Sequence, residues 1–112
     1  ELFLDTVSRA LGGAEYTQEW NPPGFTNRKT GGRFRFDGYF PSHNLLAEFH
    51  GLAHYTFPNP YHRTLDDYQR SQERDQAKQR LAQGLYRLLV VRQDEPWDDV
   101  EYVRGRLALL GL

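Results

Sequence analysis

The sequence contains no cysteine, which excludes a disulfide framework and a thiolate metal site and leaves histidine and carboxylates as the only side chains able to ligate a metal. It also lacks any apolar run near the roughly 18 residues of a membrane span. The N-terminus shows no charged-then-apolar signal pattern, so a soluble protein is expected. Strong charge of one sign is missing too. A net charge of -1 argues against a protein that holds nucleic acid by phosphate neutralisation alone. There is no internal repeat and no low-complexity segment. Methionine is absent even at the first position, so the expectation is a processed or excised piece of a longer protein with another domain upstream. What is present suffices for one compact domain, since 112 residues can build a single hydrophobic core.

Local charge is less even than the total. Arg28, Lys29, Arg33 and Arg35 form one basic cluster, and Arg63, Arg70, Arg74, Lys78 and Arg80 form another. Acids lie between them. Basic flanks around an acidic centre suit an anionic polymer wrapped around a metal site.

The periodicities give an order of αβββαβα. Leu2, Phe3, Val7, Ala10 and Leu11 form a helical stripe over residues 1–11, ended by Gly12-Gly13. Residues 14–20 read as a strand broken by Asn21-Pro22-Pro23-Gly24. Alternation from Arg33 to Phe40 reads as a half-buried strand, Pro41-Ser42-His43-Asn44 as a turn, and Leu45 to Phe49 as a strand pairing back in a hairpin. Residues 54–62 are aromatic and proline-bearing, hence a loop and a candidate binding loop. Residues 65–83 form a polar helix capped by Thr64, with Ala77 and Leu81 on its inner face and Gly84 at its end. Residues 86–91 are a buried strand, and residues 98–110 a closing helix with Val100, Val103, Leu107 and Leu110 apolar.

Asp37, Glu48 and His50 stand out chemically. An acid inside an apolar strand carries a desolvation penalty of several kcal/mol that a cation must offset. Residues two apart on a strand share a face, so Glu48 and His50 project together while Phe49 points the other way. In an antiparallel hairpin Asp37 lies across from Glu48 at about 5 Å between Cβ atoms, close enough to share a divalent metal. Mg²⁺, with Mn²⁺ able to substitute, would activate water and neutralise phosphate charge. His50 or His54 could take the water's proton near neutral pH. Arg74 and Lys78, one helical turn apart, could hold a phosphate oxygen. Asp75 between them could orient a histidine or a water.

This set resembles the PD-(D/E)XK nuclease superfamily, with Asp37, Glu48 and His50 at the signature positions. Phe36 stands where the signature has proline, and His50 where it has lysine. Glu48-Phe49-His50-Gly51-Leu52-Ala53-His54 is similar to the Glu-x-Asp-Gly-x-x-His run of very-short-patch repair-like endonucleases, a branch that includes phage homing endonucleases. Glu1 near the first helix, Arg74-Asp75-Gln76-Ala77-Lys78 and the strand at residues 86–91 occupy the remaining positions, so the resemblance covers nearly the whole chain. It implies a restriction-endonuclease-like α/β fold, a mixed four-stranded sheet flanked by helices. The implied activity is a Mg²⁺-dependent endonuclease hydrolysing DNA phosphodiester bonds with a metal-activated water, in a cytoplasmic protein of bacterial or phage origin. It further implies Asp37 as metal ligand, Glu48 contributing through its side chain or a neighbouring carbonyl, and His54 as general base. Glu1, His50, Asp75 and Lys78 complete the catalytic set. Arg33, Arg35, Arg74, Tyr55 and Tyr61 are the expected DNA contacts, and DNA specificity would come from an attached targeting domain.

Blander readings stand beside each of these. Asp37-Gly38 is a common turn dipeptide. Glu48 would also suit a buried ion pair with an arginine, His50 a hydrogen-bonded spacer, and Tyr55, Phe57 and Tyr61 a cover for the core edge. The rival functions are a nucleic-acid-binding module of the same fold without catalysis, and a structural or interaction domain held by internal salt bridges.

Overall fold

The computed structural model describes residues 2–24, 34–51 and 64–112. Helix α1 (Leu2–Ala10) comes first, followed by strands β1 (Thr17–Trp20), β2 (Phe36–Phe40) and β3 (Leu45–His50). Helix α2 (Leu65–Ala82), strand β4 (Arg87–Arg92) and helix α3 (Val100–Ala108) complete the chain. The strands form one mixed sheet in the order β1-β2-β3-β4. β1, β2 and β3 are antiparallel neighbours, and β3 and β4 run parallel. α2 is the crossover between those two parallel strands, which a hairpin cannot join. The α/β class and the flanked four-stranded mixed sheet are therefore as the sequence predicts.

Two apolar clusters lie on the two faces of the sheet. On one face Phe3, Leu4 and Val7 of α1 and Val103 and Leu107 of α3 bury Phe40, Leu45, Ala47, Leu89 and Val91. On the other, Phe34, Phe36, Leu46 and Ala82 form a smaller cluster with Trp20, Tyr39 and Tyr86 around it. Trp20 stacks on Tyr39 with ring centroids 3.9 Å apart. Gly38 faces α1 so closely that a Cβ there would lie 2.5 Å from a methyl of Leu4. Its place in the sequence is thus explained by helix packing, and the turn reading of Asp37-Gly38 falls: Asp37 lies inside β2.

The element ends follow from local hydrogen bonding. α1 stops in a Schellman arrangement, Gly13 N donating to Ser8 O and Gly12 N to Arg9 O, with both glycines at left-handed φ. The β2–β3 connection is a short 3-10 turn at Pro41–His43. Thr64 caps α2 by accepting from Asp67 N at 3.1 Å. Leu81 of α2 is 36% exposed and Ala82 fully buried, so the inner face is carried by Ser71, Ala77 and Ala82, one step round from the expected Leu81. Asp99 is the N-cap of α3, accepting from Glu101 N and Tyr102 N, so that helix begins two residues later than its apolar pattern suggests. The Leu-Leu-Val-Val run of β4 reads as a fully buried strand, but β4 is an edge strand in which Leu88 and Val90 are half-buried. Its edge is occupied by α3: Arg106 donates to Val90 O at 2.8 Å and pairs with Glu95. Among the described residues no helix is long and apolar enough to cross a membrane.

Candidate functional site

The register Gly38↔Ala47 in the β2–β3 hairpin, continued by one residue, sets Asp37 opposite Glu48. Both carboxylates line one open cleft of about 330 Å³ together with Phe34, Arg35 and Phe49, while α2 lays Arg74, Asp75 and Lys78 across it. Of the residues singled out in the sequence, the structure therefore brings together Arg35, Asp37, Glu48, Arg74, Asp75 and Lys78. Glu1, Arg33, His54, Tyr55 and Tyr61 lie outside the described residues.

Glu48 is buried, and both its oxygens are engaged. Lys78 Nζ donates to Oε1 at 2.6 Å, and His50 Nε2 lies 3.2 Å from Oε2. The side chains of Lys78 and Glu48 are 15% and 9% exposed, so this is a largely dehydrated pair, strong in geometry and costly to break. The ion-pair reading of Glu48 thus finds a partner, a lysine delivered by α2 in place of an arginine. The ammonium also sits 4.6 Å from the centroid of the Phe36 ring, a cation–π contact that holds it over the sheet. Phe36 and Phe34 were not candidates on sequence grounds; nothing local in the chain announces that Phe36 meets Lys78. His50 does not line the cleft. It is 3% exposed and lies behind Glu48, with Phe49 between them in sequence turned to the other face against Phe3 and Trp97.

Asp37 differs from Glu48. Its Oδ2 accepts from Phe49 N at 2.6 Å, and it makes no ion pair with any described residue. Burial raises its pKa above the ordinary carboxylate value, with the Glu48 charge adding to the rise. The Phe49 N–H bond, Lys78 and His50 oppose it only in part. A half-buried carboxylate beside a second carboxylate is electrostatically unfinished.

Whether a divalent cation suits this cleft can be judged from its donors. No group of three His, Asp or Glu side chains among the described residues is disposed to hold a metal ion. Mg²⁺ asks for less: it retains several waters and commonly takes one or two carboxylates. Asp37, destabilised by burial and by Glu48, is the hard oxygen donor such an ion would relieve, so the residues present fit.

Arg74 donates to Ser71 Oγ at 3.5 Å and is otherwise directed to solvent at the cleft rim. Arg35, on the opposite wall, is exposed. Among the described residues the cleft thus combines a carboxylate without an ion-pair partner, a buried lysine–glutamate pair and two exposed guanidinium groups. No family model, curated protein or solved structure matches the chain.

Proposed function

We propose that this chain is the catalytic domain of a Mg²⁺-dependent endodeoxyribonuclease with the restriction-endonuclease-like fold, of the very-short-patch repair-like kind. One observation carries the reading. Asp37 and Glu48, on adjacent antiparallel strands, open into the same cleft as Lys78, and Lys78 bonds Glu48 at 2.6 Å. The resemblance expects a lysine two residues beyond the glutamate, where this chain has His50; Lys78 of α2 brings an ammonium to the same carboxylate by another route. The element order and the mixed sheet with β3 and β4 parallel agree with that fold.

Asp37 would hold the ion by its side chain and Glu48 through a neighbouring main-chain carbonyl, its own oxygens being engaged by Lys78 and His50; the ion when bound supplies Lewis-acid stabilisation of the phosphate and lowers the pKa of water. Hydrolysis adds an oxygen to phosphorus and breaks the bond to a sugar oxygen, which leaves with a proton. Solvent water supplies the leaving oxygen's proton, and the chain's residues meet the other needs. Lys78, fixed by Glu48 and Phe36, places a positive charge where the transition state gathers negative charge. Arg74 and Arg35 hold non-bridging oxygens at the rim. His50 keeps Glu48 oriented, a positioning role. The proton of the attacking water goes to His54 in this reading, on the strength of the resemblance. An attached DNA-targeting domain belongs to the same proposal. A binding module without catalysis is the second reading, favoured by the internal neutralisation of Glu48 by Lys78.

The test is incubation of supercoiled plasmid with the protein in Mg²⁺, Mn²⁺ or EDTA, beside Asp37→Ala and His54→Ala. Metal-dependent nicking or linearisation, lost in both variants, is the expected result. Cleavage that persists in EDTA or in Asp37→Ala would overturn the proposal.

A further inference from the structure

We infer that Arg74 and Arg70 form a row along α2 that seats consecutive phosphates of one nucleic-acid strand and leads that strand into the cleft, where the row ends at the Glu48-bound Lys78. The inference rests on the nuclease reading and extends it to a residue, Arg70, outside the cleft.

The three cations are spaced i, i+4, i+8 on one helix. Each step advances about 6 Å along the axis and turns about 40° around it. The row therefore leaves the buried side of α2 gradually. Lys78 is mostly buried on Glu48, Arg74 is exposed at the cleft rim, and Arg70 is exposed beyond it. A rise of that size matches one extended backbone unit of a polynucleotide, so two successive phosphates can meet Arg70 and Arg74 ahead of the cleft. Asp66 and Asp67, in the first turn of α2, bound the row with the opposite charge.

Pairing among the arginines supports this placement. On the β4 and α3 side they are engaged: Arg92 with Asp94, Arg104 with Glu101, Arg106 with Glu95, and Arg87 with the carbonyls of His43 and Leu110. Among the described residues Arg70 and Arg35 bond none, and Arg74 bonds only Ser71 Oγ. Arg9 and Arg80 are exposed and likewise bond no described residue, but Arg9 belongs to α1 on the other face of the sheet, and Arg80 lies off the row, about 120° round α2 from Arg74 and about 160° from Lys78. They serve as controls. Guanidinium groups left without carboxylates along a line that ends at two cleft acids are charge-complementary to a phosphodiester chain.

The experiment measures binding of a fluorescent DNA duplex by anisotropy in EDTA, so that nothing is cut, from 50 to 200 mM salt. Wild type, Arg70→Gln and Arg80→Gln are compared, with plasmid cleavage in Mg²⁺ run in parallel. Each phosphate contact contributes about 0.9 to the slope of log K against log salt. Arg70→Gln should lose about that much, so its deficit relative to wild type should shrink roughly three- to fourfold across the fourfold salt range. Arg80→Gln should superpose on wild type. The row is overturned if Arg70→Gln behaves like Arg80→Gln, if wild type does not bind the duplex at 50 mM salt, or if a labelled polyglutamate is bound with the same Arg70 dependence and DNA is not. Cleavage with an unchanged Arg70→Gln slope would remove the row and leave the nuclease. Arg70-dependent binding without cleavage would do the reverse.

Discussion

Asp37 and Glu48 are both acids in apolar strands, yet the fold treats them differently. Glu48 is satisfied internally by Lys78 and His50; Asp37 is left with a main-chain bond and a raised pKa caused first by burial. A carboxyl with a folded pKa above its unfolded value binds more protons when folded across that window, so stability falls as pH rises through it. Asp37→Asn should therefore raise the melting temperature at pH 7 and have little effect at pH 4, because the amide oxygen can still accept from Phe49 N. Thermal melts at both pH values check this. The Glu48–Lys78 pair should show the opposite dependence on its partner. Lys78→Met strands a buried carboxylate and should destabilise by about 3 kcal/mol, while Glu48→Gln with Lys78→Met together should recover much of that loss in urea melts. These acids were legible in the sequence because an acid in an apolar strand is anomalous in itself. Their partners were less so: Lys78 was legible as a cation for phosphate, but only the crossing of α2 over β2 and β3 reveals that it is buried against Glu48.

Elements were legible where a local cause fixed them. Gly12-Gly13 and Thr64 end or begin helices by hydrogen bonds formed within a few residues of chain. Features decided across the fold were not. The apolar run of β4 does not say that the strand lies at the sheet edge, and the alternation of α3 does not separate the cap Asp99 from the helix it caps. Gly38 is the clearest case, since its reason is the Leu4 side chain of α1. Gly38→Ala should destabilise by about 1–3 kcal/mol through overpacking. Adding Leu4→Ala should make the glycine replacement nearly neutral in a double-mutant cycle. A Gly38→Ala cost unchanged by the second substitution would contradict the packing explanation.

At the scale of the molecule, the order of elements fixes where chemistry can collect. A hairpin of β2 and β3, with β3 continued into a parallel partner through α2, sets two acids at one cleft and carries a helix of cations over it. That order could be read from periodicity, because each element carries its own pattern. The arrangement of the cleft could not, because it depends on register and on helix crossing. On the proposed function, Asp37 is held in this cleft for a cation and not for the fold. The most direct test follows thermal unfolding of wild type and Asp37→Asn as Mg²⁺ is raised. Binding to the folded state alone stabilises by RT ln(1 + [L]/Kd), about 2.7 kcal/mol at 100 times Kd. The expected result is a melting temperature that climbs with Mg²⁺ in wild type and stays flat in Asp37→Asn. A flat wild-type response, with Asp37→Asn melting well below wild type at neutral pH, would contradict it and make Asp37 a structural residue.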